Sequence, residues 1–430
     1  MTPSMLAESS MVRPDDKSTH RGEREGYAVL IVGAGLTGLA LACALGDALG
    51  EATPIALLDP ETGVRTGPDM RALALSAGSV HLLEALGAWT IIAPHAQAVR
   101  QIDITDSRLE DVLRPVLLSY DNTVAGGEPA AWIVEANILK AALLAGVARR
   151  PSIRLLRGQA SEGFQRTAHS VTLVLKQGTT LSGAILVAAD GRRSPLREAA
   201  GIGIVRWPYR QLGIVATLRH EHPHAGRAVQ NFLPAGPFAI LPLTGNRSSI
   251  TWTEEESTAR AILALDDHGF LVEVEKRFDY RLGPIALSGP RGAWPLDMHL
   301  ARALVRQRFV LIGDAAHGVH PIAGQGVNLG LRDVAALTEV LADAARLGLD
   351  IGALSVLERY ERWRRLDGAL AAGAFDALNR LFSNDSTLLR TVRGLGLGVL
   401  ETMPALKGWL VAEAAGLSGS VPKLLRGERV

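Results

Sequence analysis

The sequence predicts an α/β fold of Rossmann type, interrupted by an inserted mixed β-sheet region and closed by a helical C-terminal region. Three observations predict it. A β-rich run over residues 27–32 passes through Gly33-Ala34-Gly35-Leu36-Thr37-Gly38 into an apolar helix. Apolar runs at 55–58, 181–189 and 309–312 lead to the acids Asp59, Asp190 and Asp314, as parallel strands do where their C-terminal ends face a ligand. Between 206 and 300 short strand-like runs dominate and helix signals are few, which marks a second sheet.

Residues 1–26 are polar and charged without apolar periodicity, and a disordered tail is expected there. They contain no apolar signal core, so export by this route is not expected. Residues 27–46 are uncharged throughout and invite a membrane-span reading on hydropathy alone. Three glycines interrupt them, and their first half has strand character. They read instead as a dinucleotide turn. Gly33 allows the tight turn, Gly35 lets backbone approach a pyrophosphate, and Gly38 lets helix and strand pack closely. Ala34, Leu36 and Thr37 fill the same cradle, and Asp59, 24 positions after Gly35, suits a ribose hydroxyl. This fingerprint alone does not choose between FAD and NAD.

Asp69-Met70-Arg71 precedes an amphipathic helix that ends near Gly87, and Arg71 is a candidate contact for a cofactor phosphate or ring. Alternation through Ile102 and Ile104 predicts a strand entering another sheet; 119–129 reads as a loop. Residues 132–135 lead into a helix to about 148, followed by strands at 153–157, 171–175 and 181–189. The last reaches Asp190-Gly191, a further candidate cofactor contact. Strands are expected at 212–218, 228–233, 238–243 and 248–253, with helices only near 256–264 and 270–278. The boundaries that follow are 27–100, 132–205 and 301–345 for the cofactor domain, 101–131 and 206–300 for the substrate domain, and 346–430 for the helical region.

The most informative stretch is 309–333. A buried strand stops at Gly313-Asp314, and Pro321, Gly324, Gln325 and Gly326 punctuate the loop that follows. Helical periodicity begins near Val327 and Asn328. Free N–H groups at such a helix start receive an electron-rich ligand edge or a developing anion. Asp314 at the strand end suits ligand hydroxyls.

Composition narrows the function class. A chain of 430 residues, 47% hydrophobic with formal net charge +1, gives no electrostatic footprint for nucleic acid. The single cysteine, Cys43, excludes an internal disulfide and a cysteine-based metal cluster, and no metal is expected. Residues 394–419 are apolar and glycine-spaced; Glu401, Lys407 and Glu413 form no basic face, so core packing is favoured over a membrane or partner surface.

These motifs resemble the UbiH/UbiF family of FAD-dependent ubiquinone-biosynthesis hydroxylases, within the flavoprotein aromatic hydroxylase group. The residues that carry the resemblance are Gly33 to Gly38, Asp190-Gly191, Gly313-Asp314-Ala-Ala-His317 and, above all, the string from His320 to Asp333. It extends over nearly everything after residue 26. One departure is Asp59, where many members carry Glu. The resemblance implies FAD as cofactor and oxygen transfer through a flavin hydroperoxide to the ring of a prenylated phenol. It places Pro321, Gly324, Gln325 and Gly326 against the flavin ring, with no side-chain nucleophile, and Val327 and Asn328 beside them. Gly313 and Asp314 would hold the ribityl or pyrophosphate region. A single dinucleotide fingerprint leaves two sources of electrons: NAD(P)H bound transiently near Asp190-Gly191, or a partner electron-donor protein. Other ubiquinone-pathway enzymes are possible partners, and a cytoplasmic location, peripheral at the inner face of the membrane, is expected. Three readings compete. A flavin halogenase would carry a Gly-Trp-x-Trp-x-Ile-Pro string, which does not occur here. A flavin-dependent reductase of an isoprenoid substrate shares the fingerprint, and a non-catalytic FAD-binding subunit would not need the 321–328 loop.

Overall fold

The computed structural model describes residues 26–62, 69, 71–107, 109, 115–278, 280–318, 326–365, 408 and 411–430. Five parallel strands form the centre of an eight-stranded first sheet, in the order Phe309–Leu311, Thr180–Ala188, Gly26–Val32, Ile55–Asp59 and Ile153–Arg157, with Val305–Arg306, Val171–Leu175 and Ser161–Arg166 added antiparallel. Val29, Leu30 and Ile31 are fully buried, as are Ile55 to Leu58. Parallel strands covered on both faces need such continuous apolar runs. Helix Leu36–Leu49 packs against helices Ala136–Ala148 and Gly326–Arg346. Leu39 to Leu45 are all buried, so the uncharged stretch at 27–46 is a strand and a core helix. Among the described residues no helix is long and apolar enough to cross a membrane.

The second sheet has eight strands, in the order His317–Gly318, Ile285–Ala301, Ile204–His220, Arg247–Glu255, Gly236–Leu243, Arg227–Leu233, Gln101–Asp106 and Val116–Asp121. Helices Glu256–Leu263 and Asp267–Glu275 contribute Ile262 and Phe270 to its core. Phe238 and Trp252 are fully buried there with ring centroids 5.8 Å apart, and the Arg277 guanidinium lies 4.1 Å from the Trp252 ring centre. Three strands depart from the sequence expectation. Ile285–Ala301 carries Gly289, Pro290, Gly292 and Pro295, which erase any alternation. A register shift between Leu287 and Arg291 in its pairing with Ile204–His220 accommodates Gly289 and Pro290, while Gly292 and Pro295 pair in register. Val116–Asp121 extends into the expected loop at 119–129, because Gln101–Asp106 offers it a pairing edge. Ser161–Arg166 is a polar strand held by Val171–Leu175.

A third, three-stranded sheet of Ala72–Ser76, Ala131–Glu135 and Gln97–Ala98 packs Ala72, Ala74 and Ile133 against Ala228 and Leu243 of the second sheet. At the C-terminal end, Val411 and Ala415 are buried with Ala77 and Ala130, and the Gly78 N–H donates to Ala415 O at 3.0 Å. Within 411–417 one face, with Val411 and Ala415, packs into the core, while Glu413 and Ala414 are exposed; 394–407, 409 and 410 lie outside the described residues.

Candidate cofactor site

The C-terminal ends of three neighbouring parallel strands converge. After Val32 the backbone turns at Gly33 with φ +109°, a conformation that favours glycine. A Cβ on Gly33 would lie 2.2 Å from Ala189 O, and one on Gly38 would lie 1.9 Å from Gly33 O. These two glycines are thus required by the fold itself. Gly35 is different: it is exposed, its backbone is extended, and a Cβ there meets nothing within 4 Å. Gly35 caps helix Leu36–Leu49 without a side-chain hydrogen bond, and the first turn has no acid. An uncapped N-terminus with no acid in its first turn suits an anionic group.

Thr37 locks this turn to the motif at 313–330. Its Oγ1 lies 2.9 Å from where a Cβ on Gly313 would stand and 2.6 Å from one on Gly330. The Ile312 N–H donates to Ala188 O at 3.1 Å, and the Ala189 N–H to Val32 O at 2.8 Å. The Gly33–Gly38 turn, Ala189-Asp190 and Gly313-Asp314 therefore share one locus. Asp314 follows Gly313, whose φ is +57°, and its carboxylate is exposed. Arg71 pairs bidentately with Asp69 at 2.6 and 2.8 Å. That pairing first, and then the charge of Asp314, hold the Arg71 guanidinium more firmly protonated than usual. Arg71 and Asp314 accordingly face the same region. Asp59 ends the next strand, half-buried, with Oδ1 accepting from the Glu61 N–H at 3.1 Å.

Two expected contacts point elsewhere. The carboxylate of Asp190 accepts from the Ser194 hydroxyl and, at 3.2 Å, from the Leu196 N–H, so it ties the turn through Gly191 to helix Pro195–Ala199. Burial pushes its pKa up, and the Ser194 hydrogen bond opposes this. Asn328 is 2% exposed. Its Oδ1 accepts from the Ser76 N–H at 3.0 Å and the Ser79 hydroxyl at 2.8 Å, and its Nδ2 donates to Ala74 O at 2.8 Å. Its side chain fixes the start of helix Gly326–Arg346 against the strand that follows Arg71. Gly326 is the first residue of that helix, a Cβ on it would meet no atom of the described residues within 4 Å, and Val327 is half-buried beside it. Pro321, Gly324 and Gln325 lie outside the described residues.

Sequence reasoning missed several residues at this locus. The chain leaves the first sheet at Leu311, turns through Gly313–Ala315 and joins the edge of the second sheet as His317–Gly318. His299, on the neighbouring strand, donates from Nε2 to Asp314 O at 2.9 Å. Burial first, with Arg192 and Arg197 nearby, pushes its pKa down to about 4 despite that hydrogen bond. Gly330 and Asp333 lie within the quoted string at 320–333, but their roles depend on Thr37 and His317, which lie at other points in the sequence.

An anion-receptive helix start, an exposed acid and a second strand-end acid on neighbouring strand ends fit FAD. At Gly35, where a Cβ would meet no protein atom within 4 Å, there is the room a pyrophosphate needs. Among the described residues no three His, Cys, Asp or Glu side chains are grouped to hold a metal ion.

The comparisons agree. Residues 26–370 match the FAD binding domain family. The chain is 42% identical over 402 residues to ubiquinone hydroxylase UbiL of Rhodospirillum rubrum, covering 93% of this chain and 92% of that one. It is 33% identical over 394 residues to 3-demethoxyubiquinol 3-hydroxylase of Escherichia coli, covering 90% and 98%. In fold it is similar to p-nitrophenol 4-monooxygenase PnpA of Pseudomonas putida, with a TM-score of 0.74 and 19% identity over 92% of this chain and 99% of that one. The chain binds FAD and belongs to the family of FAD-dependent ubiquinone-biosynthesis hydroxylases, which are monooxygenases.

Proposed function

We propose that this enzyme hydroxylates the aromatic ring of a prenylated phenol in ubiquinone biosynthesis. The observation that carries the reading is the path of residues 309–318 from the parallel sheet to the edge of the second sheet, with the exposed Asp314 between them. That path supports a substrate ring held against the second sheet, next to the proposed cofactor locus. When bound, FAD would supply the activation of O2; one atom of that O2 goes to the ring and the other leaves as water. The protein binds, orients and excludes water. The N–H groups at the start of helix Leu36–Leu49 hold the pyrophosphate, Asp59 accepts from the adenosine ribose, and Asp314 accepts from hydroxyls nearer the ring. The family resemblance supports a role at the ring for the start of helix Gly326–Arg346 and for Pro321, Gly324, Gln325 and Gly326, which would border it when FAD is bound. No side-chain nucleophile is required.

Electrons come from NAD(P)H or from a partner donor protein. A phenol with a long apolar tail brings the enzyme to a membrane surface or to other enzymes of the same pathway. The test is anaerobic reduction of the purified yellow protein, followed by oxygen with and without a prenylated phenol. A hydroxylated ring that appears only with both is the expected result. Reduction of the isoprenoid chain without oxygen would establish a reductase instead. Bound flavin that neither reduces nor turns over would indicate a non-catalytic subunit.

A further inference from the structure

Helix Gly326–Arg346 carries a fully buried carboxylate, Asp333, two turns from its start. Asp333 Oδ2 accepts from the Gly313 N–H at 2.8 Å and from His317 Nε2 at 2.7 Å. Asp333 Oδ1 accepts from Arg364 Nε at 2.7 Å. Arg364 is 4% exposed and His317 6% exposed. Tyr360, one turn before Arg364, donates from its hydroxyl to Leu311 O at 3.0 Å. A single carboxylate thus grips both ends of the five-residue turn whose second residue is Asp314.

The chemistry of this cluster argues against packing as its purpose. Burying ions costs several kcal/mol each, and well-packed apolar side chains of similar volume are often as stable or more so. What charged groups provide is a fixed arrangement, through short directional hydrogen bonds. Here that arrangement fixes the Gly313 N–H and the His317 ring, and with them the direction of the exposed acid between. Burial disfavours a proton on His317, but the charge and hydrogen bond of Asp333 outweigh it, so the imidazole holds its proton more tightly than usual. The carboxyl of Asp333, disfavoured as an anion by burial, is nonetheless held ionised by His317 and Arg364.

We infer that Asp333, through His317 and the Gly313 N–H, is the positioning residue that aims Asp314 at FAD. The inference rests on the proposed role of Asp314 toward the cofactor. Asp333 touches neither FAD nor substrate in this account; it acts through the turn. His317 and Arg364 keep its carboxylate ionised and in place.

The test is FAD titration of apoprotein by quenching of flavin fluorescence, alongside thermal melting, for His317→Ala, His317→Gln and Asp333→Asn. Glutamine places an amide N–H close to where Nε2 stands and keeps the bond to Asp333. His317→Ala is expected to weaken FAD binding about tenfold or more, the loss of one charge-assisted hydrogen bond. His317→Gln is expected to recover most of that loss. Asp333→Asn is expected to lose more than His317→Ala; the histidine pair decides the matter if Asp333→Asn does not fold. If His317→Ala melts lower yet binds FAD as tightly as wild type, the cluster is only core and the inference fails. Equal weakening in His317→Ala and His317→Gln also overturns it. Wild-type protein that binds no FAD would sink the cofactor reading and this inference together, and that control is read first.

Discussion

Gly35 and Gly38 stand three residues apart in one motif, yet the structure gives them different reasons to be glycine. A Cβ on Gly38 would lie 1.9 Å from Gly33 O and 3.4 Å from the Ala189 Cβ. Non-bonded atoms settle at about 3.5 Å, so Gly38→Ala requires backbone to move by more than about 1 Å. Such overpacking costs about 1–3 kcal/mol or more. Gly35→Ala meets no protein atom within 4 Å and needs no left-handed backbone. Its cost to folding is that of a poorer helix cap, at most about 1 kcal/mol. Toward the cofactor the order reverses. A methyl at Gly35 stands where the pyrophosphate approaches and displaces a charge-assisted hydrogen bond, about 1.5–3 kcal/mol, or ten- to a hundredfold in FAD affinity. The assay is thermal melting of each apoprotein together with FAD titration. Gly35→Ala should melt near wild type and bind FAD poorly; Gly38→Ala should melt well below wild type. Wild-type FAD affinity in Gly35→Ala would show that the pyrophosphate lies elsewhere. A wild-type melting curve in Gly38→Ala would refute the close-packing argument.

Asn328→Ala leaves the Ser76 N–H and Ala74 O without their side-chain partner, while Ser79 keeps the Ser76 hydroxyl at 3.1 Å; a loss of about 2–4 kcal/mol is expected in denaturant unfolding. His299 titrates near 4 in the folded protein against 6.5 ordinarily. A depressed folded value means stability that is present above about pH 6.5 and is lost as pH falls through 4, up to about 3 kcal/mol for a group 1% exposed. His299→Gln should flatten the stability profile across that window; an unchanged slope would assign it to other groups. Asp59→Ala should lose FAD on dialysis that wild type retains. Flotation with liposomes, comparing wild type with Leu406→Glu/Leu410→Glu, tests the apolar stretch: equal behaviour of the two is expected if it is core packing, whereas a wild type that floats and a double variant that does not would make it a membrane contact.

The parts of this protein that are local in the chain were legible in its sequence. A run of six residues from Gly33 to Gly38 dictates strand, turn and helix because glycine alone tolerates the turn and the close approach. The strand ends at Asp59, Asp190 and Asp314 showed as apolar runs meeting an acid. Strands whose alternation is broken by proline and glycine, such as Ile285–Ala301, were not legible; they exist because neighbouring strands supply their pairing. The fate of each acid also depended on packing. Asp314 is left exposed by a positive-φ glycine, whereas Asp190 is drawn back to Ser194 and Leu196. Asn328 reads in the sequence as a cofactor contact; only the fold shows that its side chain is engaged by Ser76 and Ser79, some 250 residues earlier. Asp333, His317 and Arg364 form one cluster only when two helices and a turn are brought together. Sequence determines which residues can turn, cap or carry charge; a hydrogen bond needs its partner within about 3 Å, and only the tertiary structure decides which partner that is.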